Sequence, residues 1–382
     1  MHTHIIYRFK KRLVYDLCLL TTLALMGLQA IAQPVRESRL PGRQYINAHD
    51  LLLTGRGATV PTLGYNRIDS NLLGAIPHRV AELSKNTAGL QVDFITNSSS
   101  ISFKWTLDKY SVLPNMTPIA KNGLDLYAFR NDSCQFVATA AATGDRSERT
   151  AISHLDGTMR HYRLYLPLYS SLTELYIGID SGAVIQIPKI EKRPEIVIYG
   201  TSITQGASAS RPGLAYPAIL SRQLDATVYN MGFSGSGKME PKMAEIIGHM
   251  PADLYILDCV PNMTADLIHK RAIPFVRILR KIKPAIPILF MESPIRETSF
   301  WDMNMKKRMA AQNKAIYEVF QSLKKEGLKN IYYQSAADLS GHDHEATIDG
   351  THLTDVGFSR LTTIVEKKIR EIVPVLFGKA SD

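Results

Sequence analysis

The sequence predicts two domains, an all-β sandwich followed by an α/β domain built on a parallel sheet. Three observations carry this. Over residues 90–187 apolar and polar residues alternate, punctuated by Gly, Asn and Asp, which is the pattern of half-buried strands. Residues 188–194 are charged and bounded by Pro188 and Pro194, a composition that suits a surface linker. Beyond them, short apolar runs alternate with longer helical stretches, as in a parallel sheet covered on both faces. A chain of 382 residues, at about 150 residues per domain, is long enough for two sizeable cores.

The chain opens with Arg8, Lys10, Lys11 and Arg12, then a mostly apolar stretch over 19–28, then Ala30-Ile31-Ala32 before Gln33. This is the order of a secretory signal, assigned here to residues 1–32. Its apolar run falls short of the about 20 residues that a membrane span needs. Export to the periplasm or beyond is therefore expected, with no stable membrane insertion after the signal is removed. Residues 33–85 are mixed and are expected to pack along the β-domain, which is assigned to 33–188. Ile101, Phe103, Trp105 and Leu107 alternate with polar partners, and Leu124 with Leu126, Tyr162 with Leu164 and Leu166, and Leu175 with Ile177 and Ile179 repeat the period of two. Many such strands without intervening helices argue for a sandwich.

The second domain is assigned to 194–382. Strands are expected at 196–199, 226–230, 253–258, 286–291 and 330–333, and helices at 214–224, 239–250, 264–282 and 304–323. A last helix, capped by Thr354, is expected to run to about Arg370. Sheets of this kind place their sites beyond the carboxyl ends of the strands.

Composition narrows the function classes. The 45 Lys and Arg against 35 Asp and Glu give a net charge of +10. The excess is spread out, and no basic block interleaved with aromatics supports nucleic-acid binding. Outside the signal only Cys134 and Cys259 remain, which is no disulfide framework, and both are expected as buried thiols. No CxxC pair marks a zinc site. His342-Asp343-His344-Glu345 is dense but lacks a recognised ligand spacing, so no metal and no cofactor are expected.

Chemistry gathers at the predicted strand ends. Gly200-Thr201-Ser202-Ile203-Thr204-Gln205-Gly206 follows the first strand. A serine on such a turn can expose its hydroxyl, though it lacks the G-x-S-x-G form, and alone it is an ordinary turn. Asp349-Gly350-Thr351-His352 lies in a loop before the last helix. An Asp and a His three apart can reach inward together, the His as proton carrier and the Asp as its orienting carboxylate. Asn230-Met231-Gly232-Phe233-Ser234-Gly235-Ser236-Gly237 and Asp258-Cys259-Val260-Pro261-Asn262-Met263 follow the second and third strands. The Ser202 N–H, the Gly235 N–H and the Asn262 side chain are candidate donors to a developing oxyanion. The glycine run is no phosphate cradle, because Lys238 is not followed by Ser or Thr.

In this order the four segments resemble the SGNH (GDSL-like) hydrolase superfamily, with Thr201 standing where the name motif has Asp. Tyr199-Gly200-Thr201-Ser202-Ile203-Thr204-Gln205-Gly206 and Ala209-Ser210-Arg211-Pro212-Gly213 are similar to a bacterial branch whose members carry an N-terminal β-domain with a Gly-x-Asp-Leu-Tyr motif. Gly123-Leu124-Asp125-Leu126-Tyr127 matches that motif. The resemblance implies an α/β/α sandwich and a serine esterase with Ser202, Asp349 and His352 as its triad. It further implies an acylated carbohydrate as substrate and acetyl as the acyl group. The usual third block is Gly-x-Asn-Asp, whereas this chain has Val260-Pro261-Asn262-Met263, a change beside the acyl pocket. Arg211, Arg296 and Trp301 are candidate substrate contacts, and Trp105 is a weaker one. An acylhydrolase of lipids or thioesters, and a non-enzymatic glycan-binding protein, are the competing readings. The sequence sets no oligomeric state.

Overall fold

The computed structural model describes residues 42–56, 64–131 and 133–377. The expected signal at 1–32 lies outside them. Among the described residues, ten strands make the first domain: β1 (Arg43–Asn47), β2 (Leu52–Thr54), β3 (Gln91–Thr96), β4 (Ile101–Leu107), β5 (Leu124–Arg130), β6 (Ser133–Ala140), β7 (Arg146–Ile152), β8 (Arg160–Tyr165), β9 (Leu172–Asp180) and β10 (Ile185–Gln186). They form two sheets, ordered β1-β9-β4-β7 and β10-β3-β8-β5-β6, with β2 added beside β3. The inward residues of both sheets share one core, with Val92 and Phe94 of β3, Phe103 and Trp105 of β4, Leu126 of β5 and Ile177 of β9. Trp105 is fully buried there and its Nε1–H donates to the Asn122 carbonyl at 3.2 Å, so it stacks on no ligand.

The second domain carries five strands: β11 (Glu195–Gly200), β12 (Thr227–Gly232), β13 (Leu254–Asp258), β14 (Ile288–Met291) and β15 (Ile331–Gln334). All pair in parallel, in the order β12-β11-β13-β14-β15. Alternation along the strands divides the domain into two cores. Val197, Tyr199, Leu257 and Phe290 face the helices Pro241–His249, Ala265–Ile282 and Met303–Lys325. Ile196, Ile198, Ile256 and Leu289 face the helices Tyr216–Gln223 and Asp355–Ile372. Each fully buried apolar side chain of this kind contributes about 1.5–3 kcal/mol. Among the described residues no helix is long and apolar enough to cross a membrane.

The segment between β2 and β3 corrects one expectation. Rather than running along the β-sandwich, Ile68, Ile76, Val80 and Leu83 enter the core of the α/β domain beside Met231 and Phe233. Arg67 is the reason. Its buried guanidinium donates to the carbonyls of Asn230 and Gly232 at the end of β12 and to those of Leu83 and Asn86, and it stacks over Phe233. The two domains also meet through β5. Its inner face fills the sandwich, while Asp125 and Tyr127 on its outer face reach the α/β domain. Asp125 takes both Arg211 and the Gly213 N–H. Cys259 is buried as expected, but Cys134 on β6 is only half-buried, because β6 is an edge strand.

Candidate active site

The loops after β11, β12, β13 and β15 converge at the carboxyl edge of the parallel sheet. β11 ends at Gly200, where a Cβ would lie 1.9 Å from Thr204 Oγ1, so only glycine lets the chain turn there. Thr201 caps the short helical turn Ser202–Gln205: its Oγ1 accepts from the Ile203 N–H, and Thr204 Oγ1 accepts from the Thr201 N–H. Thr204 in turn donates to Asp258 Oδ2 at 2.6 Å, as does the Tyr216 hydroxyl at 2.9 Å. Asp258 is buried at the end of β13, and that burial lifts its carboxyl to about 6 despite both bonds. Ser202 therefore stands on a turn pinned to the sheet beneath it, with its side chain at the surface edge.

Residues 347–353 close on themselves, with the Ile348 N–H on the His352 carbonyl and a bridge between Thr347 and Leu353. Thr354 caps the last helix and Leu353 is buried against it, which fixes where His352 emerges. His352 Nε2 is 3.0 Å from Ser202 Oγ, and its Nδ1 is 2.7 Å from Asp349 Oδ2. The imidazole is thus within proton-transfer reach of the hydroxyl. Asp349 Oδ1 accepts from the N–H groups of Thr351 and His352. Desolvation pushes the Asp349 carboxyl up, but the His352 N–H, the His352 ring and the Asn115 amide together outweigh it and bring it down to about 2. It is an anion at neutral pH.

Two further donors stand nearby. In the loop after β12, Ser234 N–H goes to Gln205 Oε1 and the Ser236 and Gly237 N–H groups go to the Phe233 carbonyl. The exposed Gly235 lies between them at φ 69°, with open space where a side chain would be. Asn262 ends the 3-10 turn Val260–Asn262. With its amide oriented by its neighbours, Oδ1 shares the Ser236 and Gly237 N–H groups with the Phe233 carbonyl, at 3.1 and 3.3 Å, and the NH₂ is left to donate.

A structure solved as a GDSL-like lipase from Bacteroides ovatus is 39% identical to this chain, covers 88% of it and all of its own length, and superposes with a TM-score of 0.85. The chain belongs to the GDSL-like (SGNH) hydrolase superfamily. Residues 192–370 match the GDSL-like lipase/acylhydrolase family, and residues 43–185 match the GxDLY family, described as the N-terminus of SGNH-type esterases. This superfamily member is an ester hydrolase. Two more distant structures share the fold. A salicylyl acyltransferase from a tetracycline biosynthetic pathway is 20% identical at TM-score 0.72, over 89% of this chain and 100% of its own. A family two carbohydrate esterase from Cellvibrio japonicus is 16% identical at TM-score 0.57, over 86% of this chain and 98% of its own. No protein of curated function matches the chain.

Two of the expected substrate contacts are turned inward instead. Arg211 of the SGNH domain pairs with Asp125 and Tyr127 of the GxDLY motif, so the motif locks the two domains together. Arg296 is buried and donates to the Pro261 carbonyl at 2.8 Å, which holds the turn bearing Asn262. Burial lowers the pKa of its guanidinium. Trp301 is 89% exposed. Its main-chain N–H donates to the Thr298 carbonyl, and Thr298 Oγ1 fills the space that a Cβ on Gly350 would take, so the turn that carries Trp301 lies beside the loop of Asp349 and His352. The polar run at 342–345 is engaged piecemeal: His342 with Asp338, His344 with Glu297, and Asp343 with Arg360.

Sequence reasoning missed the contributions of the GxDLY domain. Tyr169 donates its hydroxyl to the Ser202 carbonyl at 3.3 Å. Gln205 Nε2 donates to the Leu168 carbonyl and to Asn86. Asn115 Nδ2 donates to Asp349 Oδ2 at 3.0 Å. Gln205 sits in the serine segment, but Asn86, Asn115 and Tyr169 sit in no recognisable motif. Only the match of Gly123 to Tyr127 hinted that this domain faces the site.

Proposed function

We propose that the protein is an exported serine esterase that removes acyl groups, acetyl foremost, from carbohydrate esters. The observation that carries this is the continuous chain from Ser202 Oγ through His352 to Asp349, with links of 3.0 and 2.7 Å. In this reading His352 Nε2 takes the Ser202 proton as Oγ attacks the ester carbonyl. The N–H groups of Ser202 and Gly235 and the Asn262 NH₂ receive the oxyanion, each donor stabilising the transition state by about 3 kcal/mol. His352 then gives that proton to the departing sugar oxygen, which leaves as a free hydroxyl. A water, deprotonated by His352, attacks the acyl-enzyme and releases the carboxylic acid and free Ser202. Asp349 remains an anion throughout and stabilises the imidazolium.

Trp301 supports a sugar substrate: an indole 89% exposed, on the turn that packs against the reactive loop, offers a flat apolar face to a pyranose ring. Carbohydrate esters are also the class named for the Cellvibrio japonicus structure of the same fold. The basic, apolar and small-residue order of residues 1–32 supports export.

The test is hydrolysis of p-nitrophenyl acetate, butyrate and octanoate and of an acetylated oligosaccharide. Acetyl is expected to be preferred, and Ser202→Ala to lose about a thousandfold or more in kcat. Trp301→Ala is expected to raise KM on the oligosaccharide about fivefold, while p-nitrophenyl acetate is unaffected. Unchanged activity in Ser202→Ala would overturn the esterase reading. Preference for octanoate would turn it toward lipid substrates.

A further inference from the structure

We infer that Asn115, presented by the GxDLY domain, is a positioning residue for the Asp349–His352 pair, so that the β-domain forms part of the catalytic site rather than a carried module. The inference rests on the esterase reading above.

The loop bearing Asn115 is seated on the SGNH domain at three places. Met116 is buried in the core that holds Ile203, Ala209 and Ala215. The Asn115 carbonyl accepts from Ser208 Oγ at 2.8 Å. Thr117 donates its hydroxyl to the Ser210 carbonyl and caps the short helix Pro118–Asn122. Ser208 and Ser210 lie just beyond the Ser202 turn, so the segment that follows the serine also fixes Asn115.

From there Asn115 Nδ2 reaches Asp349 Oδ2 at 3.0 Å, and stands 3.4 Å from His352 Nδ1. The Asp349 carboxylate then has four donors: Thr351 N–H and His352 N–H on Oδ1, and the His352 ring and Asn115 on Oδ2. A carboxylate has about four lone-pair sites. Three of these donors come from its own loop, which could swing as a unit. Asn115 is the one that ties Asp349 to the other domain, and so fixes the oxygen that orients the imidazole toward Ser202. Its part in holding Asp349 ionised agrees with this.

Asn115→Asp and Asn115→Ala separate positioning from mere structure. Both keep the main-chain carbonyl that Ser208 holds. Asn115→Asp is nearly isosteric and sets a second carboxylate beside Asp349 and the His352 ring. An added negative charge favours the imidazolium. Among the described residues, the charged groups of the neighbouring elements include Lys121, engaged by Asn122 and the Tyr169 carbonyl, Glu297, engaged by His344, Asp343, engaged by Arg360, and Asp355, engaged by the Ser210 N–H. None of them changes in either variant.

The experiment is kcat and KM on p-nitrophenyl acetate from pH 5 to 9, with thermal melting, for wild type, both Asn115 variants and Ser202→Ala. Asn115→Ala is expected to lower kcat about tenfold with KM within about twofold. Asn115→Asp is expected to move the acid limb of kcat/KM upward by about half to one pH unit, with activity regained at alkaline pH. If Asn115→Ala also melts early, the acid limb of Asn115→Asp decides. Wild-type kcat in the alanine variant together with a wild-type acid limb in the aspartate variant overturns the inference, while Ser202→Ala remains inactive. Should Ser202→Ala stay active, the esterase reading itself falls.

Discussion

The two halves of the molecule meet at the Ser202 turn and support it by different means. Beneath it, the SGNH domain supplies Asp258, which gathers Thr204 and Tyr216 at a strand end where, among the described residues, no cation compensates it. Beside it, the GxDLY domain supplies Asp125, a buried carboxylate matched to Arg211 and the Gly213 N–H. Both aspartates are buried, and burial raises both carboxyls. Only Asp125 has a guanidinium to oppose it. The pair at Asp125 therefore fixes one domain on the other, whereas Asp258 organises its own domain at an electrostatic cost. A buried ion pair is fragile to removal of one partner, while an unpaired buried acid is fragile to ionisation.

Asp125→Ala is expected to give the larger effect. It leaves Arg211, whose side chain is 20% exposed, with the Tyr127 hydroxyl but no carboxylate, and the Gly213 N–H without its acceptor. A loss of about 3 kcal/mol follows, read as a fall in the urea midpoint at pH 7. The loop 207–213 should loosen with it and lower kcat as well. A change below about 1 kcal/mol would break the claim that this contact locks the domains.

Asp258→Asn is expected to act in the opposite direction, and only as pH rises above about 4. The Asp258 carboxyl is raised from 3.8 to about 6 by burial, and its Oδ1 has no hydrogen-bond partner among the described residues. The fold thus prefers the neutral acid. That contribution is complete below pH 4 and is lost as pH rises through about 6. Asparagine mimics the neutral form and does not titrate. The variant's advantage over wild type should grow by about 2 kcal/mol between about pH 4.5 and pH 8. Melting curves at both pH values check this, and a difference independent of pH would contradict the placement of Asp258.

The contrast also explains what could be read from the sequence. The parallel sheet was legible because β11 to β14 are short apolar runs between longer amphipathic stretches. Thr354 caps its helix as expected, and Thr264, expected as the first residue of its helix, caps that one. The chemistry was legible because a Ser, an Asp and a His at strand ends are reactive types in a recognisable order. The supports were not. Asn115, Tyr169 and Arg67 are ordinary polar residues whose roles exist only once two domains are packed. Arg211 and Arg296 misled for the same reason: an arginine near a site looks like a ligand until its carboxylate or carbonyl is seen. The segment after β2 lacks clear periodicity, since its anchor is Arg67 gripping carbonyls rather than an apolar stripe.

The central claim is that Ser202 is a nucleophile made reactive by His352. The most direct measurement is covalent labelling with a p-nitrophenyl phosphonate ester, followed by peptide mapping. One equivalent of adduct on the peptide containing Ser202, activity falling in step, and strongly reduced labelling in His352→Ala are the expected results. An enzyme that keeps full activity after labelling, or carries the adduct on another residue, would contradict it.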